Sequence, residues 1–219
     1  MRVFKLKVVF HNIFTSFRTF QKELEEAIGD CGTLLDLGCG PDSPIGKLHD
    51  KKFYSVGVDI FEPYIHVSKK RKIHNEYFVM DILEIDKKFE PNSFDGVIAL
   101  DVIEHLIKKE GLELIEKMEK IAKKKVIIFT PNGFLPQKEY ENNPWEVHRS
   151  GWTAEEMKKM GYKVIGISGW KSLWKFLRGE RAEIKLKPKW FWYLILDITQ
   201  FFTKNHPEKA FQILCIKEK

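Results

Sequence analysis

Short apolar runs alternate with longer amphipathic stretches along most of this 219-residue chain. Apolar runs of this length are typical of buried parallel strands, and the stretches between them have the three- and four-residue repeat of helices. The alternation predicts an α/β fold with a Rossmann-like, doubly wound, mostly parallel sheet. The predicted strands are Thr33–Leu37, Tyr54–Asp59, Glu76–Met80, Phe94–Leu100, Lys125–Thr130, Lys163–Ile167 and Phe211–Lys217.

Helices are predicted between these runs. They cover His11–Ile28, Pro44–His49, Pro63–Lys72, Glu104–Ala122, Thr153–Met160 and Trp190–Thr203. The fourth is the most periodic, with one apolar side formed by Leu106, Ile107, Leu112, Ile115, Met118, Ile121 and Ala122. Thr153 and Glu156 have the spacing of a capping box, which predicts where the fifth helix begins.

One stretch, residues 171–209, interrupts the alternation with a mixture of aromatic and basic residues. We interpret it as an insertion before the last strand of a single domain over residues 1–219, which begins with the helix over 11–28. Three roles are open to the insertion: a helical cap that completes the core, a lid over a substrate, or a patch that contacts a membrane surface through residues 171–206. Its apolar helix is too short to span a bilayer.

Composition narrows the choice of partners. The formal charge is +6 and the sequence pI is about 9.0, but the lysines are scattered among acids, which argues against a nucleic-acid partner. Three cysteines and seven histidines show no spacing typical of a disulfide framework or a metal site, so we expect no metal. The N-terminal residues lack the features of a signal peptide, and we expect a cytoplasmic protein.

The first predicted strand ends in Asp36 and is followed by a glycine turn formed by Gly38, Cys39 and Gly40. Glycine lets a backbone turn tightly and approach a ligand closely. After a strand, such a turn commonly holds a nucleotide phosphate. A carboxylate just before the turn would repel a pyrophosphate and attract an ammonium or sulfonium group. The turn therefore favours S-adenosylmethionine (SAM) over NAD as the cofactor.

The next three strands also end in aspartate, at Asp59, Asp81 and Asp101. Asp59 follows Asp36 by 23 residues, a distance at which a carboxylate commonly reaches a ribose diol. Asp81 is suited to accept a hydrogen bond from an adenine amine. Each aspartate alone has a structural alternative as a helix N-cap, but four successive strand ends with an acid indicate a binding site.

With these motifs, residues 33–151 resemble the class I SAM-dependent methyltransferases, and among them the group called methyltransferase type 11. The resemblance implies a seventh, antiparallel strand and a cofactor site in which Asp59 holds the ribose and Asp81 the adenine amine. It also implies that Leu100, Asp101 and His105 flank the site of methyl transfer. The implied cofactor-binding residues are Asp36, Gly38, Cys39, Gly40, Asp59, Ile60, Asp81, Ile82, Leu100 and Asp101.

The chain departs from the family pattern in the glycine loop and in the long span between its last two strands. Asp42 stands where the glycine loop commonly has a third glycine. A base is needed only for an acceptor that must lose a proton, and the candidates are His148 and His105. Each has a structural alternative: His148 as a loop histidine bonded to backbone, and His105 as part of a helix start.

The expected activity is transfer of a methyl group (EC 2.1.1) to an O, N or C atom of a small-molecule or lipid-linked acceptor. The alternatives are a non-catalytic SAM-binding scaffold, an RNA methyltransferase, and an NAD-dependent oxidoreductase. Asp36 and the missing third glycine count against the last of these.

Overall fold

A seven-stranded sheet forms the centre of the computed structural model, which describes residues 20–48, 52–139, 143–177 and 187–219. Along the sheet the strands follow the order β3-β2-β1-β4-β5-β7-β6. Only β7 is antiparallel to its neighbours, β5 and β6. The predicted fold is confirmed. The strands are β1 (Thr33–Leu37), β2 (Tyr54–Asp59), β3 (Glu76–Val79), β4 (Phe94–Leu100), β5 (Ala122–Pro131), β6 (Lys163–Trp170) and β7 (Ala210–Glu218).

Helices cover both faces of this sheet. They are α1 (residues 20–28), α2 (Glu62–Arg71), α3 (Lys108–Ile121), α4 (Ala154–Lys159), α5 (Lys171–Leu177) and α6 (Lys189–Thr203). Short 3-10 helices occupy Pro44–Lys47, Ile82–Lys87, Ile103–His105, Pro144–Glu146 and Pro207–Lys209. The remainder of the predicted first helix, residues 11–19, and His49 lie outside the described residues.

Alternating side chains along each strand build two cores, one on each face of the sheet. Leu35 on β1 and Val97 on β4 face α3, and they pack in one cluster with Leu114 and Met118 of that helix. Their neighbours in sequence face α1; the second cluster includes Leu34, Ile98, Phe20, Leu24 and Ile28. Burial on both faces explains why these strands are apolar runs rather than alternating sequences.

The strand order places a crevice at the centre of the sheet edge. β1 pairs in parallel with β2 on one side and β4 on the other, so the three carboxyl ends meet at one edge. The chain order reverses between β1 and β4, since β2 and β3 lie on one side and β5 on the other. Ligands of open α/β sheets bind at such a switch point.

The predicted helix over Glu104–Ala122 is wrong in its extent. A 3-10 turn over Ile103–His105 comes first, Leu106 and Ile107 are extended, and α3 begins at Lys108. The Glu110 carboxylate accepts a hydrogen bond from the Ile107 N–H at 3.2 Å, which fixes this start. The helix also ends one residue early, because Ala122 is extended and opens β5.

Two further details of the helices differ from the prediction. Leu112 is 39% exposed, and Leu114 is buried in its place, on the same side of α3 as Ile115, Met118 and Ile121. The segment after the glycine turn is a single 3-10 turn, Pro44–Lys47, rather than an α-helix. The capping box is confirmed: Thr153 Oγ1 accepts from the Glu156 N–H at 3.2 Å, and Glu156 Oε2 accepts from the Thr153 N–H at 2.8 Å.

Candidate active site

The glycine turn is folded so tightly that its glycines are required. Gly38 and Gly40 have φ values of 62° and 56°, in the left-handed region that disfavours side chains. An added Cβ at Gly38 would lie 2.7 Å from Cγ2 of Val102. The Cys39 N–H donates to the Val58 carbonyl at 3.0 Å, which fastens the turn to β2.

Asp36 lies beneath this turn, in the interior of the protein. Asp36 is 1% exposed, and its Oδ2 accepts a 2.5 Å hydrogen bond from the Ser43 hydroxyl. His74 Nε2 lies 3.4 Å from the same oxygen. Burial raises the pKa of Asp36 to about 7. The carboxyl thus bonds to the loop on its interior side. Its predicted attraction for a cationic ligand on the outer side would have to act across the loop.

Asp42, at the position of the usual third glycine, forms surface ion pairs. Its carboxylate lies 2.7 Å from Lys47 Nζ and 3.0 Å from Arg71 Nη1. The outer part of the loop is therefore held to α2 by charge. Such exposed pairs are weak individually, but here one carboxylate links two elements.

Asp59 connects the end of β2 to the glycine turn. Its Oδ2 accepts from the Gly40 N–H at 2.9 Å, and Oδ1 accepts from the Phe61 N–H at 2.8 Å. Burial raises the pKa of this carboxyl. Ile60, one of the implied cofactor-binding residues, follows directly and is half-buried.

Asp81 adopts the N-cap arrangement that was the structural alternative. Its Oδ1 accepts from the Leu83 N–H at 2.9 Å and caps the 3-10 helix Ile82–Lys87. Asp81 and Ile82 are both half-buried, beyond the end of β3. Because β2 and β3 are adjacent and parallel, Asp59 and Asp81 lie at the same sheet edge.

At the end of β4, Leu100 is buried and Asp101 turns sharply away with a φ of 55°. A non-glycine residue in this region is uncommon, and strained residues of this kind cluster at functional sites. Asp101 is accessible to solvent, yet protein atoms surround its carboxyl closely enough to raise its pKa to about 7 by desolvation. A side chain at the floor of an open crevice has both properties.

Glu104, His105 and His148, hereafter the Glu/His cluster, come together beside Asp101. One ligand atom from each lies within 4.8 Å of the others. The two imidazole rings are 4.7 Å apart between centroids and are inclined at 75°. Burial and the Asp101 carboxylate raise the pKa of Glu104 well above its ordinary value, and burial lowers the pKa of His105.

The segment that carries His148 is fixed to the turn that carries Glu104. The N–H groups of Arg149 and Ser150 donate to the Glu104 carbonyl at 2.8 and 3.1 Å. The Trp152 indole, fully buried, donates to the Ile103 carbonyl at 3.1 Å. These bonds hold together two segments that are more than 40 residues apart in the sequence.

Sequence reasoning missed three residues of this edge: Ser43, Glu104 and Glu146. Glu104 stands beside a predicted site residue, His105, so an adjacent acid–imidazole pair after the fourth strand was an available signal. Glu146 acts on both sides of the crevice, since its charge raises the pKa values of Asp59 and Asp101. No local pattern distinguishes it from a surface glutamate.

The sheet order, the glycine turn and the acids at the strand ends together define the class I methyltransferase fold. Residues 35–130 match the family model described as "Methyltransferase domain", which confirms the predicted family for this part of the chain. SAM is the cofactor expected of this family. No curated protein was found to match the sequence.

Solved structures resemble the chain over different lengths. A SAM-dependent methyltransferase from Archaeoglobus fulgidus is 18% identical, with a TM-score of 0.60 and coverage of 93% of this chain and 94% of that one. Phosphoethanolamine N-methyltransferase 2 from Haemonchus contortus is 20% identical, with a TM-score of 0.56 and coverage of 90% and 51%. A protein from Pyrococcus horikoshii OT3 is 28% identical, with a TM-score of 0.48, over 53% of this chain and 57% of that chain. At these identities the first two likenesses show the fold alone.

Proposed function

We propose that the protein transfers the methyl group of SAM to an O, N or C atom of a small-molecule or lipid-linked acceptor. The observation that carries this proposal is the position of the Glu/His cluster, which lies at the end of β4, one strand away from the glycine turn after β1. A cofactor held by the turn would direct its methyl group toward these polar side chains.

The chemistry is an in-line displacement at carbon. A bond forms between the acceptor atom and the methyl carbon, and the sulfur–carbon bond breaks with its electron pair left on sulfur, which gives neutral S-adenosylhomocysteine. Most of the protein's contribution is alignment of the two reactants and exclusion of water. An acceptor hydroxyl or ammonium must also lose a proton, and His105 and His148 are the residues placed to assist that loss.

The arrangement of α6 supports a lipid-linked acceptor and a contact with a membrane surface. Its polar side chains face inward: Gln200 Nε2 donates to the Gly166 carbonyl at 2.8 Å, and Gln200 Oε1 accepts from the Gly169 N–H at 2.9 Å. Leu196 is buried, and Trp192 and Tyr193 pack against it. Six other apolar side chains of the helix face outward and are 40% to 80% exposed; they are Trp190, Phe191, Leu194, Ile198, Phe201 and Phe202. This outward-facing set is hereafter the α6 apolar face.

A helix that is held on its inner side and exposes a row of aromatic and aliphatic residues on its outer side suits the interface of a bilayer, where an apolar face enters the headgroup boundary. Within the described part of the chain, no helix has the length and hydropathy to cross a bilayer. We therefore propose a cytoplasmic enzyme that works at the membrane surface.

The cofactor proposal is tested by calorimetry with SAM, S-adenosylhomocysteine and NAD. We expect micromolar-range binding of the first two and none of NAD. Binding of NAD alone would end the methyltransferase proposal. Labelled SAM with a panel of metabolites and lipids then separates an enzyme from a SAM-binding scaffold, because only the enzyme transfers label to an acceptor.

The membrane contact is tested by sedimentation with vesicles of mixed neutral and anionic phospholipids. Phe201 is 80% exposed, and we expect Phe201→Ser to lower the vesicle-bound fraction severalfold. Tyr54, 44% exposed at the start of β2, provides the matched control Tyr54→Ser. Equal losses in both variants, or no binding of the unaltered protein, would contradict the proposed contact.

A further inference from the structure

We propose that the Glu104 carboxylate and the imidazoles of His105 and His148 bind one divalent transition-metal cation. The sequence predicts no metal, because these residues have no recognised ligand spacing along the chain. The fold brings them together: one ligand atom from each lies within 4.8 Å of the others. From that separation, small side-chain rotations bring all three atoms to about 2.1 Å from a common centre.

Unsatisfied polar atoms in the cluster indicate that a partner belongs there. Glu104 is 2% exposed, and among the described residues no donor bonds its Oε1, while the Asp101 carboxyl interacts with the same side chain. Nδ1 of His105 is likewise buried without a hydrogen-bond partner in the described part of the chain. Buried polar groups nearly always have partners, and those that lack them require an explanation. A cation bound here would accept lone pairs from the Glu104 oxygen and the His105 nitrogen and would be the missing partner of both atoms.

Two of the three ligands, His148 and Glu104, are already fixed on their other side by the protein, as in metal sites whose ligands are oriented by outer hydrogen bonds. His148 Nδ1 lies 2.6 Å from the Leu135 carbonyl, which can only accept, so Nδ1 carries the proton and Nε2 the lone pair. Glu104 Oε2 accepts a 2.9 Å hydrogen bond from the Thr130 hydroxyl. Both side chains are therefore held in orientations that suit ligation.

Charge also favours a cation. Asp101 lies close enough to Glu104 for the two side chains to interact directly. Two carboxyl groups this close must share a proton or a cation. Two imidazoles and one carboxylate suit Zn²⁺, Fe²⁺, Co²⁺ or Mn²⁺, and three protein ligands leave coordination positions open for an acceptor oxygen. A role of the cation in binding the methyl acceptor rests on the proposed function, whereas the binding of the cation itself does not.

The test is a titration of the full chain, stripped with a chelator, with Co²⁺ under anaerobic conditions. The visible absorption bands of Co²⁺ report nitrogen and oxygen ligands directly. We expect saturable binding of one equivalent, and affinity lower by about 30-fold or more in His148→Ala and in Glu104→Gln. Glu104→Gln keeps the shape and the Thr130 hydrogen bond, so it remains informative where His148→Ala fails to fold.

His66→Ala is the matched control, because His66 also faces a carboxylate, with its Nε2 3.6 Å from Glu62 Oε1, but on the surface. We expect it to bind Co²⁺ as the unaltered protein does. The proposal is overturned if Co²⁺ gives no bands up to millimolar concentration, or if His66→Ala loses as much affinity as the cluster variants. Calorimetry with SAM on the same stripped samples keeps the two proposals apart: SAM binding without Co²⁺ binding refutes the metal site alone, and the reverse refutes the methyltransferase proposal alone.

Discussion

Two halves of the same sheet edge use their carboxylates in opposite ways. In the first, formed by the ends of β1, β2 and β3, Asp36, Asp59 and Asp81 each accept a hydrogen bond from a nearby hydroxyl or N–H group. In the second, formed by the ends of β4 and β5 and residues 143–149, Asp101 and Glu104 face each other, and no donor in the described part of the chain bonds Glu104 Oε1. We call these the cofactor half and the acceptor half.

The cofactor half is preorganised for its ligand, whereas the acceptor half has polar atoms that are available for one. The carboxylates of the cofactor half hold backbone turns in place, so the loop that would receive SAM is formed before the ligand arrives, which lowers the cost of ordering it. The acceptor half keeps polar atoms that the protein itself does not satisfy. Such atoms raise the free energy of the empty site and gain most when a cation or substrate pairs with them.

The largest effect that separates the halves is expected from His148→Ala. We expect turnover to fall by about 10³-fold, because the variant loses either a proton acceptor or a ligand of the proposed cation. The dissociation constant of SAM should change by less than about threefold, since His148 contacts the Leu135 carbonyl and the His105 ring, on the side of the sheet edge formed by β4 and β5. Steady-state kinetics, with the acceptor found in the labelled-SAM panel, and calorimetry measure the two quantities.

His206→Ala is a suitable control, because that histidine is exposed and lies in a different part of the fold. A loss of SAM affinity in His148→Ala as large as the loss of turnover would show that the two halves do not work separately.

The reverse pattern is expected from Asp59→Ala. The change removes the acceptor for the N–H groups of Gly40 and Phe61, and hydrogen bonds to a charged group contribute about 1.5–3 kcal/mol each. We expect SAM to bind about 100-fold more weakly, with a smaller effect on turnover at saturating SAM. Calorimetry measures the affinity, and an equal loss in His148→Ala would refute this division of roles.

A packing change in α3 is expected to disturb the acceptor half alone. A Cβ added at Gly111 would lie 2.5 Å from Cζ2 of Trp152, whose indole holds the Ile103 carbonyl beside Glu104. Overpacking of this kind costs about 1–3 kcal/mol, so we expect Gly111→Ala to lower the free energy of unfolding by about 2 kcal/mol. Urea denaturation measures the loss.

Leu112→Ala is the neighbouring control, since Leu112 is 39% exposed; we expect a change within about 0.5 kcal/mol. SAM affinity should stay unchanged in Gly111→Ala while Co²⁺ affinity falls. Weaker SAM binding in this variant would mean that strain at Trp152 also reaches the glycine turn.

The sequence was informative wherever the relevant signal is local. The apolar runs and the glycine turn fix β1, β2 and β4 to the residue, because burial on both faces demands an apolar run and left-handed φ values favour glycine. The acids of the cofactor half follow directly from those strand ends. Their hydrogen bonds to Ser43 and Gly40 were not predictable, because they depend on the path of the loop.

The acceptor half was less predictable because it is assembled across long separations. His148 is 43 residues beyond His105, and the two segments meet through hydrogen bonds from Arg149, Ser150 and Trp152 to the carbonyls of Ile103 and Glu104. The same holds for α6: its existence followed from its apolar residues, but which face is exposed depends on the glycines of β6 that admit Gln200.

The smallest effect tests whether the cofactor half acts through charge as well as through shape. The pKa of Asp36 is raised to about 7 by burial, so about a tenth of the carboxyls are ionised at pH 6 and about nine tenths at pH 8. A cationic ligand favours the ionised form, and SAM affinity should therefore increase with pH, by up to about tenfold over this range. The raised pKa of Asp59 acts in the same direction.

Calorimetry from pH 6 to pH 8 measures the increase, and Asp36→Asn isolates its source, because His74, 3.4 Å from Asp36 Oδ2, is unchanged in that variant. We expect the SAM affinity of Asp36→Asn to vary less with pH. At pH 6 it should approach that of the unaltered protein, because Asp36 itself is mostly neutral there. Asp36→Asn could instead bind SAM more weakly by the same factor at every pH. That result would mean that Asp36 acts by holding Ser43 and the turn, and that Asp59 supplies the charge that attracts a cationic ligand in the cofactor half.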